Sequence, residues 1–342
     1  MNTKLILIIA VAIALIANSC KDNGTGPETL EPGRRDYVWT ADTIKAYYIY
    51  FNSIWGKIAD DVWVVGSGSA FENIYRYDGS KWYRETREPI YNTVSLWGTE
   101  NVLWITTYSG YIWKYKDGVF SCSQKLLYEE NEIDFLSIAG KNDSEIYSVG
   151  GKEIPLNRDA LIYKYDGEAW YLNKVLKNNG NITRIRYSSV NDRYYLLTAL
   201  DNEIEKDTVR LYEYDSNNLK TIYENYVSEN TSCVMNDING YLYVTIGRKI
   251  FMYYKNNFEQ ILEINDSNFG GQTWGRNKKD IFIRMFDGLM HYNGTDASYI
   301  LKFPSGVRFG TSALVLEKDI FLHAYDNNTG YNIIYHGVLK EN

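Results

Sequence analysis

Glu72, Arg158, Asp159, Glu203, Glu205, Asp207, Arg248, Asp287 and Asp326 are the side chains of this sequence best suited to recognise a ligand. Each is a charged group set between runs of alternating apolar residues, at a position that does not recur elsewhere in the chain. Carboxylates and guanidiniums on such loops can hold sugar hydroxyls or the polar groups of a protein partner. Two loop carboxylates about 5–10 Å apart could also hydrolyse a glycosidic bond, so a polysaccharide hydrolase or lyase is the alternative. No catalytic residue is assigned, because the sequence has no G-x-S-x-G elbow, H-E-x-x-H pair or phosphate loop. Gly66-Ser67-Gly68-Ser69 links two extended runs and offers phosphate no helix N-terminus. His291, His323 and His336 are scattered, which argues against zinc. Asp326-Asn327-Asn328-Thr329-Gly330 lacks the ligand spacing and distal Glu of a calcium loop and reads as a turn. Neither a metal nor a cofactor is expected.

Elements that could position these residues emerge from composition and period. The chain has 342 residues, 36 basic and 43 acidic, for a formal net charge of −7. Its 45% hydrophobic content is that of a chain able to build a core, which excludes wholesale disorder. An acidic balance with no basic run argues against nucleic acid as a partner. Three cysteines cannot frame a disulfide scaffold, and Cys122 and Cys233 are expected as free, mostly buried thiols. The 32 tyrosines and 9 tryptophans are periodic.

Trp55, Trp97 and Ala139 are evenly spaced, each opening a unit of roughly 40 residues. Two weaker units follow, then one around Thr273-Trp274-Gly275 and a last one from Thr311. Within a unit, a run ending at Trp-Gly precedes alternating runs such as Val62-Trp63-Val64-Val65 and Ile74-Tyr75-Arg76-Tyr77. A hairpin pair then leads into a fourth run: Asp78-Gly79, Asp117-Gly118, Asp166-Gly167 or Asn293-Gly294. Four antiparallel strands per unit and seven units predict an all-β, seven-bladed β-propeller. The last unit lacks a fourth run. Residues 38–43 resemble 81–86, with Trp39 in the place of Trp82, so an N-terminal strand should close the ring and leave no open edge. In that alignment His336-Gly337 takes the hairpin-turn position.

The repeat, WG…DVWVVG…YDG..W, resembles that of secreted and lipid-anchored propeller proteins of Bacteroidetes- and Chlorobi-type bacteria, across residues 37–342. The resemblance implies fold and secretion rather than an activity. A glucosyltransferase function sometimes attached to such proteins has no support in these residues. Upstream, Lys4 and the apolar run 5–17 end in Ala17-Asn18-Ser19-Cys20, which resembles a bacterial lipobox. Residues 1–19 then form a lipoprotein signal peptide, Cys20 carries the acyl chains that anchor the protein in a membrane, 20–35 form a flexible tether, and 36–342 form the propeller. Lys21 after the cysteine favours, by analogy, the outer membrane.

Every tryptophan sits at a repeat position, as expected for packing between blades. The aromatic residues that break the pattern, Phe71, Tyr91, Tyr108, Tyr226, Phe269, Phe286 and Tyr325, are the ones expected to face a ligand. In a propeller the second-to-third and blade-to-blade loops share one face, and here those loops vary while the turns of the opposite face are short and alike. The sequence therefore points to a non-enzymatic binding module for a glycan or envelope protein, with a purely structural envelope role as a further alternative.

Overall fold

The computed structural model describes residues 30–341 except 47–48, 70, 86–88, 155–156, 201–207, 217 and 227–232; of 153, 154, 157 and 200 it describes the backbone alone. Seven four-stranded antiparallel sheets follow one another in the compact unit Pro32–Asn342. Their first strands, Tyr50–Ile58, Thr93–Gly98, Asp134–Asn142, Asn181–Ser188, Cys233–Ile238, Phe269–Asn277 and Val307–Val315, line a central channel. Blade 1 continues outward through Asp61–Ser67, Ile74–Tyr77 and Trp82–Arg84, and blades 2 to 6 repeat this order.

Blade 7 is composite. Its second and third strands are Asp319–Asp326 and Tyr331–Leu339, and its outermost strand is Tyr37–Ile44 from the other end of the chain. Trp39 pairs with Gly337 as Trp82 pairs with Tyr77, so the expected equivalence holds. One detail differs: His336 and Gly337 lie inside the third strand rather than in a turn. No hairpin is needed where the partner strand arrives from elsewhere. Gly337 serves instead as a floor for Trp39, whose ring lies 2.7 Å from where a Cβ would be. Just upstream, the Gly33 amide donates to Lys279 O at 2.9 Å and Arg35 pairs with Asp296 at 3.0 Å. Gly33 and Arg35 of the expected tether are thus fastened to blade 6, and Arg34 to Asp36 and Lys340 O; residues 20–29, Cys20 among them, lie outside the described residues.

The packing explains the aromatic period. Each second strand contributes one fully buried aromatic at the same register: Trp63, Trp104, Tyr147, Tyr195, Tyr243, Phe282 and Phe321, none more than 2% exposed. These rings wedge against aromatics of the next blade, Trp63 on Tyr115 at 4.7 Å, Trp104 on Tyr165 at 4.9 Å and Phe321 on Tyr77 at 5.6 Å. Such tilted and edge-on contacts add to the area that large rings bury. The Trp-Gly pair has a separate cause. Trp55 reaches over Gly98 of blade 2, Trp97 over Gly140 of blade 3, and Leu314 of blade 7 over Gly56, each contact too close for an added Cβ to fit without a shift. All nine tryptophans belong to these clusters. Cys122 departs from expectation: it lies exposed on the outer strand Val119–Lys125, because outermost strands have no further sheet to cover them.

Candidate binding face and channel

The order first-second-third-fourth strand puts the second-to-third loops and the blade-to-blade links on one face of the ring. That loop face gathers exposed aromatic side chains: Phe71 (48% exposed), Tyr91 (58%), Tyr108 (38%), Tyr226 (62%) and Phe286 (46%). Five of the seven off-pattern aromatics are therefore solvent-facing. Phe269 and Tyr325 are half-buried, Phe269 against the blade 5–6 core and Tyr325 against Tyr50 at 5.7 Å. Toward the opposite face the exposed large apolar residues include Ile58 at the end of a first strand, Val119 at the start of an outer strand and Val190 in a turn, with exposed Tyr171 also on an outer strand.

The charged candidates divide. Glu72, Arg248, Asp287 and Asp326 lie on the loop face as expected. Arg248 donates to Asp266 O at 2.8 Å, spanning its own turn and the link to blade 6. Asp287 accepts the Tyr299 hydroxyl at 2.8 Å. Asp326 accepts from the Asn328 amide at 2.9 Å and the Thr329 hydroxyl at 2.7 Å, and these bonds hold its carboxyl below the usual range. Its oxygens serve the turn. Arg158 and Asp159 belong to the third strand Asn157–Tyr165 rather than to a loop. Asp159 is a correction: it is 2% exposed, bonded to the Tyr128 hydroxyl at 2.9 Å, Lys177 Nζ at 2.8 Å and the Asn178 amide at 3.1 Å. Burial opposes its ionisation, but Lys177, Asn178 and Tyr128 hold the carboxyl below the usual range. A carboxylate so satisfied stitches blades 2 and 3 together and is closed to a ligand. Glu203, Glu205 and Asp207 lie outside the described residues.

The channel, about 490 Å³, holds what sequence reasoning missed. Opposite the buried aromatic ring the first strands present Trp55, Trp97, Ala139, Arg186, Asn236, Trp274 and Leu314. Two residues earlier stand Ser53, Ser95, Ser137, Arg184, Val234, Gln272 and Ser312. Blades 4 and 5, where the Trp-Gly pair is absent, thus insert Arg184, Arg186 and Asp237, the charged groups of the described lining, together with Asn236, into a wall otherwise made of neutral polar and apolar groups. The missing pairs were legible as erosion; that polar residues replaced them in two adjacent units was the available signal.

Side chains bridge the first strands around this wall. Arg186 Nε donates to Asn236 Oδ1 at 2.9 Å, and Asn236 Nδ2 to Thr273 O at 2.7 Å. The Gln272 amide donates to Thr311 O at 3.0 Å and accepts from Arg184 Nη2 at 2.9 Å. Thr311 donates to Phe51 O at 2.8 Å, and Asn52 to Thr93 O at 3.1 Å. Burial lowers the Arg186 guanidinium to about 10, with Arg184 adding repulsion and Asp237 opposing it. Burial and Arg284 lower Arg184. The Asp237 carboxyl is pushed up to about 6 by burial, against the pull of the Gly240 amide and Arg186.

A second depression, about 550 Å³, follows the seams of blades 1 to 3 on the turn face. Its charged walls are used internally: Asp61 pairs with Arg76 at 2.7 Å, and Arg76 lies over Trp63.

No family model and no curated protein matches the chain. Solved structures do. YCF48 bound to a D1 peptide is similar with a TM-score of 0.63 at 14% identity, covering 91% of this chain and 100% of that one. A catalytically inactive virginiamycin B lyase from Staphylococcus aureus, solved with quinupristin, is similar with a TM-score of 0.66 at 12% identity, covering 89% and 100%. The extracellular domain of a protein described as a hybrid two-component system from B. thetaiotaomicron is similar with a TM-score of 0.59 at 14% identity, covering 86% of this chain and 39% of that one. At such identities the likeness shows the fold alone.

Proposed function

We propose that this chain is a non-enzymatic binding module of a bacterial cell envelope, anchored through an acylated Cys20 and holding a glycan or an envelope protein on its loop face. The observation that carries this reading is the gathering of Phe71, Tyr91, Tyr108, Tyr226 and Phe286, all exposed, on the one face whose loops escape the repeat. Aromatic faces stack on sugar rings and on apolar side chains, so exposed aromatics carried on one face suit a binding surface. Glu72, Arg248 and Asp287 stand on the same face to supply polar contacts. Fold neighbours include a peptide complex and the extracellular domain of a two-component system, beside a lyase that stands with the alternative. The test is to incubate the propeller, residues 32–342, with envelope fractions and a polysaccharide panel, scoring retention and new reducing or unsaturated ends. Retention without new ends is the expected result. New ends would overturn the non-enzymatic reading in favour of a hydrolase or lyase.

A further inference from the structure

Several arginines elsewhere in the propeller sit beside carboxylates. Arg34, Arg35, Arg76, Arg210 and Arg276 each lie within 3.2 Å of one. The arginines of the channel do not: among the described residues, no ion pair under 4 Å joins Arg184, Arg186 or Arg284 to an acid. Their hydrogen-bond partners are neutral, and the one carboxylate in reach, Asp237, attracts Arg186 without forming an ion pair. Arg184 rests on Gln272, and Arg186 on Asn236, Ile185 O at 2.8 Å and Ser137 at 3.5 Å. Arg284 reaches Phe309 O at 3.4 Å, and its Nε is buried without a partner.

Position adds a second line. Arg184 and Arg186 both line the channel, whose described lining contains a single carboxylate, Asp237. Arg284 lies near the loop-face end, close enough to Arg184 to depress it, and stacks over exposed Phe286 at 5.4 Å. A cation taken out of bulk water without a counter-charge is costly, and guanidinium forks suit oxyanions in two-pronged geometry.

We infer that the channel sector of blades 4 to 6 is a site for a small oxyanion, a carboxylate or sulfate group held by Arg184 and Arg186 and admitted from the loop face past Arg284. The anion is a free ion or an acidic group of a larger glycan. The inference goes beyond the loop-face reading and does not depend on it, since a free ion can bind with no macromolecular partner present.

Calorimetric titration of the full chain in neutral detergent, at constant ionic strength in chloride, tests it with inorganic sulfate and with glucuronate. Saturable one-site binding of at least one of them is expected, weakened tenfold or more in Arg184→Ser, which restores the residue of blades 1 to 3. Sulfate binding alone or alongside glucuronate identifies a site open to the free ion; glucuronate binding alone identifies a glycan carboxylate. Arg284→Val, which copies Val65 of blade 1, is the second variant and should weaken binding at least threefold. The absence of saturation by either ion at 50 mM overturns the site. So does unchanged affinity in folded Arg184→Ser, or in Arg284→Val where Arg184→Ser does not fold.

Discussion

A chain beginning at Lys45 is expected to show no cooperative melting transition, whereas one beginning at Pro32 should melt as a single unit. The difference is the strand Tyr37–Ile44, which pairs along its whole length with Tyr331–Leu339. Without it the third strand of blade 7 presents an unpaired edge, an invitation to aggregation. Tyr37 and Ile44 are nearly fully buried, and burial of such side chains is worth about 1.5–3 kcal/mol each. Trp39 would leave Gly337 bare, and Arg276 would lose the Tyr37 hydroxyl at 3.0 Å. With the lost ladder, the cost exceeds about 5 kcal/mol, the lower end of a typical domain's stability. Calorimetry of the two chains checks this. A chain from Lys45 melting within a few degrees of the chain from Pro32 would show that the ring does not need its closing strand.

The second large effect concerns the loop face. Combined substitution Phe71→Ala, Tyr91→Ala and Phe286→Ala is expected to weaken retention of the envelope ligand by tenfold to a hundredfold. Interface aromatics commonly contribute more than about 1 kcal/mol each when truncated. The same triple should leave the melting temperature nearly unchanged, because exposed side chains cost about 0.5 kcal/mol or less. All three are between 46% and 58% exposed. The control is Ile58→Ala with Val190→Ala on the opposite face, expected to leave retention intact. Equal losses in both variants would deny the loop face its role.

The sequence carried the ring because repetition exposes it. Seven units place an aromatic against the next blade, and Trp39 falls into register with Trp82 across the chain ends. Off-pattern aromatics were legible by the same logic: a residue that the repeat does not require is free to face solvent. Side-chain partners distant in sequence were not legible. Asp159 looks like a loop carboxylate until Tyr128 and Lys177, from the neighbouring links, close over it. The arginine pair of blade 4 hid for the opposite reason, since Arg184-Ile185-Arg186 alternates like any strand and shows its meaning only when seven registers are superposed. His336-Gly337 resembled a turn because Asp-Gly turns recur, but a composite blade needs none.

Hydrogen exchange on the propeller with its retained ligand tests the central claim most directly. Amides at 71–73, 108–110, 247–248 and 286–287, on the loop face, are expected to slow on binding. Amides at 59–60, 99–101, 278–279 and 317–318, in the opposite turns, are expected to exchange at unchanged rates. Protection confined to those turns, with the loop face unaltered, would contradict the account.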